Sequence, residues 1–256
     1  MNSDPKLLEE EAHRFLSEEK FDEAFRFFKM AAQIYKSQGN PQQASLCFAS
    51  AASCWSIKSG EKTFYNAASC YEEAAREAEI FQDLEYASLL YKYAAKNYER
   101  DGEFQSFSEC FYRSKECYRK FLLYSIFRPR QIHSLKGKKK YKDSFVARLF
   151  LLGVLNFSYL IWGHGERPSK TFYTAVGVIL ICAIFYTWGP LVKSGFIFMP
   201  SFWESLYFSI TTFTNLGYGD ITPVGVSKLM VALESFCGIF LMPLFIIGLS
   251  RKYLRI

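Results

Sequence analysis

Two hydrophobic patterns divide the chain. Over residues 1–125 apolar and small side chains recur at three- and four-residue spacing among many charges, the mark of helices with one buried face. From residue 145 onward apolar residues merge into long runs with few charges. The first pattern repeats. Phe28-Lys-Met-Ala-Ala-Gln-Ile-Tyr35 matches Phe48-Ala-Ser-Ala-Ala-Ser-Cys-Trp55, then Tyr91-Lys-Tyr-Ala-Ala-Lys-Asn-Tyr98 and Phe111-Tyr-Arg-Ser-Lys-Glu-Cys-Tyr118, while Tyr71-Glu-Glu-Ala-Ala-Arg-Glu-Ala78 lacks the second aromatic. An aromatic, small residues three and four later and an aromatic at seven share one helix face. The small pair lets a neighbouring helix approach. Breaks at Gln38-Gly39-Asn40-Pro41, Ser59-Gly60 and Asp101-Gly102 separate the units. An antiparallel stack of five or six helices follows, its helix pairs about 40 residues long.

The second pattern predicts membrane segments. Thr171–Trp188 and Leu229–Leu249 are long enough to cross a bilayer. Phe145–Trp162 has the length too, but both its flanks are basic and should stay on the cytoplasmic side. It is therefore expected to lie along the inner interface. Ser201–Thr214 is too short to span and fits a re-entrant helix. After it comes Thr214-Asn215-Leu216-Gly217-Tyr218-Gly219-Asp220, a polar, glycine-punctuated loop at membrane depth. Non-helical backbone is tolerated there only where it is buried in protein or lines a watery cavity. Two glycines let carbonyls turn to one side, where they can replace a cation's hydration shell.

Charge sharpens this division. Residues 1–125 hold 16 basic and 20 acidic side chains, residues 126–170 hold 10 and 2, and residues 171–256 hold 5 and 3. The excess positive charge thus gathers beside the apolar runs, with Lys136–Lys142 as its densest part. Anionic lipid headgroups are the partner this placement favours, over nucleic acid. The seven cysteines form no CxxC pair and are not grouped with the three histidines, which argues against a zinc site. With no signal peptide visible, reduced thiols in a cytosolic domain are expected. No nucleophile–base pair or phosphate loop suggests an enzyme, and no cofactor is expected.

Two resemblances add to these readings. Asp22-Glu-Ala, Glu85-Tyr-Ala and Tyr91-Lys-Tyr-Ala-Ala resemble tetratricopeptide repeats, in particular the divergent ones of soluble NSF attachment proteins. The resemblance covers about 5–120 and implies a module that binds a protein partner or assembles with itself. Phe202-Trp-Glu-Ser-Leu-Tyr-Phe-Ser, followed by Thr211-Thr-Phe-Thr-Asn-Leu-Gly-Tyr-Gly-Asp-Ile-Thr-Pro, resembles the pore region of tetrameric potassium channels. Gly163-His-Gly-Glu-Arg-Pro168 is similar to prokaryotic two-span members. The expected fold is all-α: a helical repeat domain at 1–125, a basic linker with an interfacial helix at 126–170, and a two-span pore domain at 171–256. Both termini would be cytoplasmic, in the cell membrane.

The channel resemblance implies that carbonyls of Leu216, Gly217, Tyr218 and Gly219 from four copies ring an axis, with Thr214 and Asn215 at the inner end. Potassium would be the permeant ion and the protein a homotetramer. Asn215 stands where the family usually has threonine, which leaves non-selective cation conduction as an alternative; a membrane-tethered scaffold with a non-conducting pore segment is another. Around the loop, Glu204 is a candidate brace for the re-entrant helix, and Asp220 for the filter through Trp203 or Tyr207. Glu234, a carboxylate in mid-span, either attracts cations or buttresses the re-entrant helix. Gly238 and Pro243 are candidates for a gating bend. No arginine-repeat helix and no C-terminal sensing domain are seen, so gating is expected to enter through the repeat domain, the basic linker or the lipid.

Overall fold

The computed structural model describes residues 4–57, 63–128 and 144–253, and divides between Asn156 and Phe157 into two compact units. The Lys136–Lys142 cluster and the Ser59-Gly60 break lie outside the described residues.

The first unit is an up-and-down stack of α1 (Pro5–Ser17), α2 (Phe21–Ser37), α3 (Pro41–Ile57), α4 (Thr63–Ile80), α5 (Leu84–Asp101) and α6 (Phe104–Phe127), each packed on the next. Local chemistry sets several boundaries. Asp4 caps α1 by accepting from the Lys6 amide, with Pro5 opening the helix. Asp83 caps α5 through the Tyr86 amide, and Gly102 ends it in the left-handed conformation at φ 84°. The repeated face is the buried one: Phe28, Ala31, Ala32 and Tyr35, then Phe48, Ala51 and Ala52, then Tyr91, Ala94, Ala95 and Tyr98 all lie in the core. Alanines at the crossings bring backbones close enough for side chains to bond across helices. Ser88 and Ser114 each donate to the other's carbonyl, at 2.9 and 2.8 Å. Tyr35 Oη donates to Glu9 and Tyr98 Oη to Glu72, each to a residue 26 positions earlier.

The N-terminal part of α7 (Phe145–Trp162) belongs to this unit. Leu152 and Leu155 pack with Phe121, Leu122 and Leu84. Arg119 of α6 donates to Asn156 Oδ1 at 3.0 Å and also pairs with Glu116. The opposite face exposes Val146, Leu149, Phe150 and Val154.

The second unit continues from Phe157 through a tight turn at Gly163–Gly165 into α8 (Pro168–Thr187). Three consecutive positive φ angles, at Gly163, His164 and Gly165, make that turn. A short hairpin follows, β1 (Leu191–Lys193) and β2 (Phe196–Phe198), then α9 (Phe202–Phe213), β3 (Ile221–Pro223) and α10 (Ser227–Tyr253). The strands form an antiparallel sheet in the order β2-β1-β3, with Val192 opposite both Ile197 and Thr222. The chain is predominantly helical, as expected, with one small sheet beside the helices: three-residue strands are too short to show an alternating pattern, and pairing of β1 with β3 depends on a contact across some 30 residues. The Ser194-Gly195 turn, with φ of 53° and 84°, closes the hairpin. Leu191, Ile221, Cys182, Tyr186 and Phe208 form the core where sheet, α8 and α9 meet.

By length and hydropathy three helices among the described residues could cross a membrane: Phe145–Gly165, Pro168–Thr187 and Ser227–Tyr253. The third class member, α7, matches the 18-residue apolar run. Few of its residues are buried within the chain, as for the other two. This is a membrane protein.

Candidate functional site

The loop 214–220 hangs between α9 and β3, and both attachments are built from local chemistry. Ser201 and Glu204 form a reciprocal capping box at the start of α9: the Glu204 amide donates to Ser201 Oγ, and the Ser201 amide donates to Glu204 Oε2 at 3.1 Å. Lys193 of β1 reaches the other carboxylate oxygen at 3.1 Å, joining the sheet to the helix. The Ser201 amide, then Lys193, hold this carboxyl below the ordinary range.

At its C-terminal end α9 hands its free carbonyls to the loop. Ile210 O accepts from the Thr214 amide and Thr214 Oγ1, at 3.0 and 2.8 Å. Thr211 O accepts from the Leu216 and Gly217 amides, and Thr212 O from the Asn215 amide. Ser235 of α10 also donates to Thr212 O, at 3.4 Å. The amides of Thr214, Asn215, Leu216 and Gly217 are thus drawn back toward the helix.

Asn215, Gly217 and Gly219 have φ of 56°, 50° and 77°, while Leu216 and Tyr218 between them keep negative values. A strand turns successive carbonyls to alternate sides; a positive φ at every second residue breaks that alternation. Glycine takes the left-handed region freely, and asparagine is among the few other residues that tolerate it. Residues 215–220 are all exposed, Leu216 at 60% and Tyr218 at 68%.

Behind the loop three contacts hold it. Tyr207 of α9 lies close to the Asp220 carboxylate and stacks on Tyr218, ring planes 5° apart. Of the two aromatic candidates for Asp220, the structure brings Tyr207 to it; Trp203 is exposed and meets Phe202 edge-on. Glu234 of α10 is buried and accepts from Tyr186 Oη of α8 at 2.7 Å and from Ser209 Oγ of α9. Ser209 Oγ also lies 2.9 Å from Ile179 O of α8. One carboxylate therefore ties all three helices together. Gly238 of α10 packs so closely on the end of α9 that an added Cβ would overlap Phe213 O. α10 runs unbroken through Gly238 and through Pro243, which is exposed.

Sequence reasoning named Glu234 but not its partners. Tyr186 and Ser209 lie 48 and 25 residues away, and nothing local marks either hydroxyl. It also missed a clasp at the other end of the unit. Glu166, in the turn before α8, has a buried side chain 3.9 Å from Arg251 in the last turn of α10. Gly248 abuts Pro168, where an added Cβ would lie 3.3 Å from the proline ring. His164 in the same turn is buried, with Nδ1 3.1 Å from Ser158 Oγ. Among the described residues no group of His, Cys, Asp and Glu is arranged to hold a metal ion.

Residues 173–254 match the model of a family described as ion channel, which supports a channel pore domain over about a third of the chain. No curated protein and no solved structure matches the chain.

Proposed function

We propose that the protein is a potassium channel whose pore is ringed by four copies of the 214–220 loop. The observation that carries this reading is the alternation of left-handed dihedrals at Asn215, Gly217 and Gly219 on an exposed strip, with the amides of Asn215, Leu216 and Gly217 tied back to α9. A single strip of carbonyls cannot enclose an ion. Closing a ring takes further copies, and exposed Leu216 and Tyr218 offer apolar surface for that contact. Carbonyls of Leu216, Gly217, Tyr218 and Gly219, with Thr214 and Asn215 at the inner end, replace the ion's hydration shell. Asp220, Tyr207, Glu204 and Glu234 hold the strip from behind.

In this reading α8 and α10 cross the membrane, the sheet faces outward, and both ends of the chain are cytoplasmic. α7 lies along the inner interface. Its Leu152/Leu155 face packs beside Arg119 and Glu116, charged neighbours that a helix immersed in lipid would not keep, while Val146, Leu149, Phe150 and Val154 form the opposite apolar stripe. The Lys136–Lys142 cluster would sit at anionic headgroups. The helical stack is a cytoplasmic domain that regulates or assembles the pore, with a protein partner or another copy of itself. Gly238 and Pro243 are the positions where α10 would bend.

Non-selective cation conduction is the second reading, favoured by Asn215 at the inner end. Purified protein in liposomes tests both: potassium flux that Gly217→Asp abolishes is expected. Equal permeability to sodium and potassium in reversal-potential measurements would leave the second reading. Flux unchanged by Gly217→Asp would remove the filter assignment, and absence of flux in the parent would favour a scaffold.

A further inference from the structure

Asn215 departs from the potassium-channel pattern, and its side chain has a definite orientation. Its Nδ2 donates to Phe213 O at 3.4 Å. That carbonyl is fixed, pressed between the end of α9 and Gly238 of α10. The amide group is planar, with its nitrogen and oxygen on opposite arms, so anchoring the nitrogen on the protein body turns Oδ1 away from it. Oδ1 has no hydrogen-bond partner among the described residues, and Asn215 is exposed. The neighbouring hydroxyl is not available for the same task, because Thr214 Oγ1 is turned back to Ile210 O at 2.8 Å.

We infer that Asn215 Oδ1 is a side-chain ligand for the permeant cation, supplying at the inner mouth of the filter an amide oxygen of the same chemical kind as the backbone carbonyls above it. The inference rests on the reading of 214–220 as a filter and adds to it which atom of Asn215 faces the ion. An amide nitrogen facing the axis would repel a cation; held on Phe213 O, it does not reach the axis. The left-handed backbone at φ 56° fits this residue. A β-branched threonine is strained in that region, whereas asparagine tolerates it. Four copies would place four such oxygens below the innermost ring of backbone carbonyls.

The test uses full-length protein in planar bilayers, with barium applied from the side of the chain termini as a divalent probe. Asn215→Gly removes the side chain and keeps the left-handed backbone accessible. Asn215→Asp puts a carboxylate oxygen in its place. The expected result is a barium block weakened about tenfold or more in Asn215→Gly, a change of roughly 1.4 kcal/mol, and strengthened in Asn215→Asp. Unchanged block in Asn215→Gly, or tighter block, would overturn the inference; tighter block would mean that the amide nitrogen had faced the ion. Should Asn215→Gly not conduct, barium-dependent thermal stabilisation of the purified variant, compared with the parent, reads the same site. A parent that passes no cations would instead count against the filter reading itself.

Discussion

Gly238 of α10 lies directly against the backbone carbonyl of Phe213, the last residue of α9, with no room for a β-carbon between them. On an exposed helix a Gly-to-Ala change stabilises by up to about 1 kcal/mol. Here the added methyl must push the end of α9, and with it the anchor of Asn215, out of place. Gly238→Ala is expected to destabilise the protein by about 1–3 kcal/mol, as overpacking does, and to reduce cation flux. Pro243 is exposed, so Pro243→Ala fills no contact and restores a helix hydrogen bond. Thermal unfolding and liposome flux on both variants separate packing from bending. A Gly238→Ala protein as stable and as active as the parent would show that the contact does not constrain the 214–220 loop.

Glu234 joins α8, α9 and α10 through Tyr186 and Ser209. A glutamine at 234 can accept from Tyr186 through its oxygen and donate to Ser209 Oγ through its nitrogen. Ser209 then donates to Ile179 O, and all three polar groups keep a partner. Alanine leaves the buried Tyr186 hydroxyl without its acceptor, at about 1–3 kcal/mol, while Ser209 keeps Ile179 O but loses its link to α10. Glu234→Gln is therefore expected to keep assembly and flux close to parental levels, and Glu234→Ala to lose both. Size-exclusion profiles and melting temperatures of the two variants check this. The reverse order, with Gln as damaging as Ala, would mean that a negative charge is needed there.

The cysteines of the helical stack are buried and serve as small apolar residues. Desolvation pushes the thiol of Cys47 up to about 12 and those of Cys54 and Cys70 up to about 11, and raises Cys110 and Cys117 as well. In the native protein at pH 8 these five should resist a thiol reagent such as Ellman's and react only on unfolding. The same groups bear on stability at high pH. Above about pH 8.5 the unfolded chain loses thiol protons that the folded one retains. Stability contributed by the neutral thiols is thus complete below that value and is lost as pH rises toward 11–12. Each thiol removes up to about 1.4 kcal/mol per pH unit in that window. Thermal unfolding between pH 7 and 10 should show a flat region followed by a fall. Fast labelling of the native protein at pH 8 would contradict the burial.

Much of this architecture is legible in the sequence, for physical reasons that also mark where reading stops. The Phe28, Phe48 and Tyr91 faces are buried as their spacing implies, because helical periodicity is local and each face needs only its neighbour. The helix Phe202–Phe213 is read nearly to its ends, since Ser201 and Glu204 announce its cap. The Gly217 and Gly219 dihedrals follow from residue type alone. What stays hidden is whatever depends on distant chain: the β1–β3 pairing, Tyr186 and Ser209 around Glu234, and the seating of Gly238 on Phe213. Glu234 stands out as a lone charge in an apolar run, but a charge does not name its partners. Asp220 illustrates the intermediate case, where two aromatics were within plausible reach and only the helical turn of α9 selects Tyr207.

Glu166 and Arg251 link the turn before α8 to the last turn of α10, beside the tight contact of Gly248 with Pro168. In the proposed pore this is the cytoplasmic end, where movement of α10 would open or close the path. A pair at 3.9 Å with a half-exposed arginine is worth only about 0.2–1 kcal/mol. That is small for stability but enough to shift a balanced opening equilibrium about fivefold at its upper end. Arg251→Glu sets two carboxylates against each other and is expected to change open probability with little effect on melting temperature. The charge-swapped double variant, Glu166→Arg with Arg251→Glu, should return it toward the parent. Gly248→Val acts differently, because its bulk meets Pro168 and no second charge can relieve it; its effect should persist in every charge background. Single-channel recordings of the parent, each single charge variant, the double variant and Gly248→Val decide the matter. Additive effects of the two charge changes, with no rescue, would mean that the pair does not couple the turn to α10.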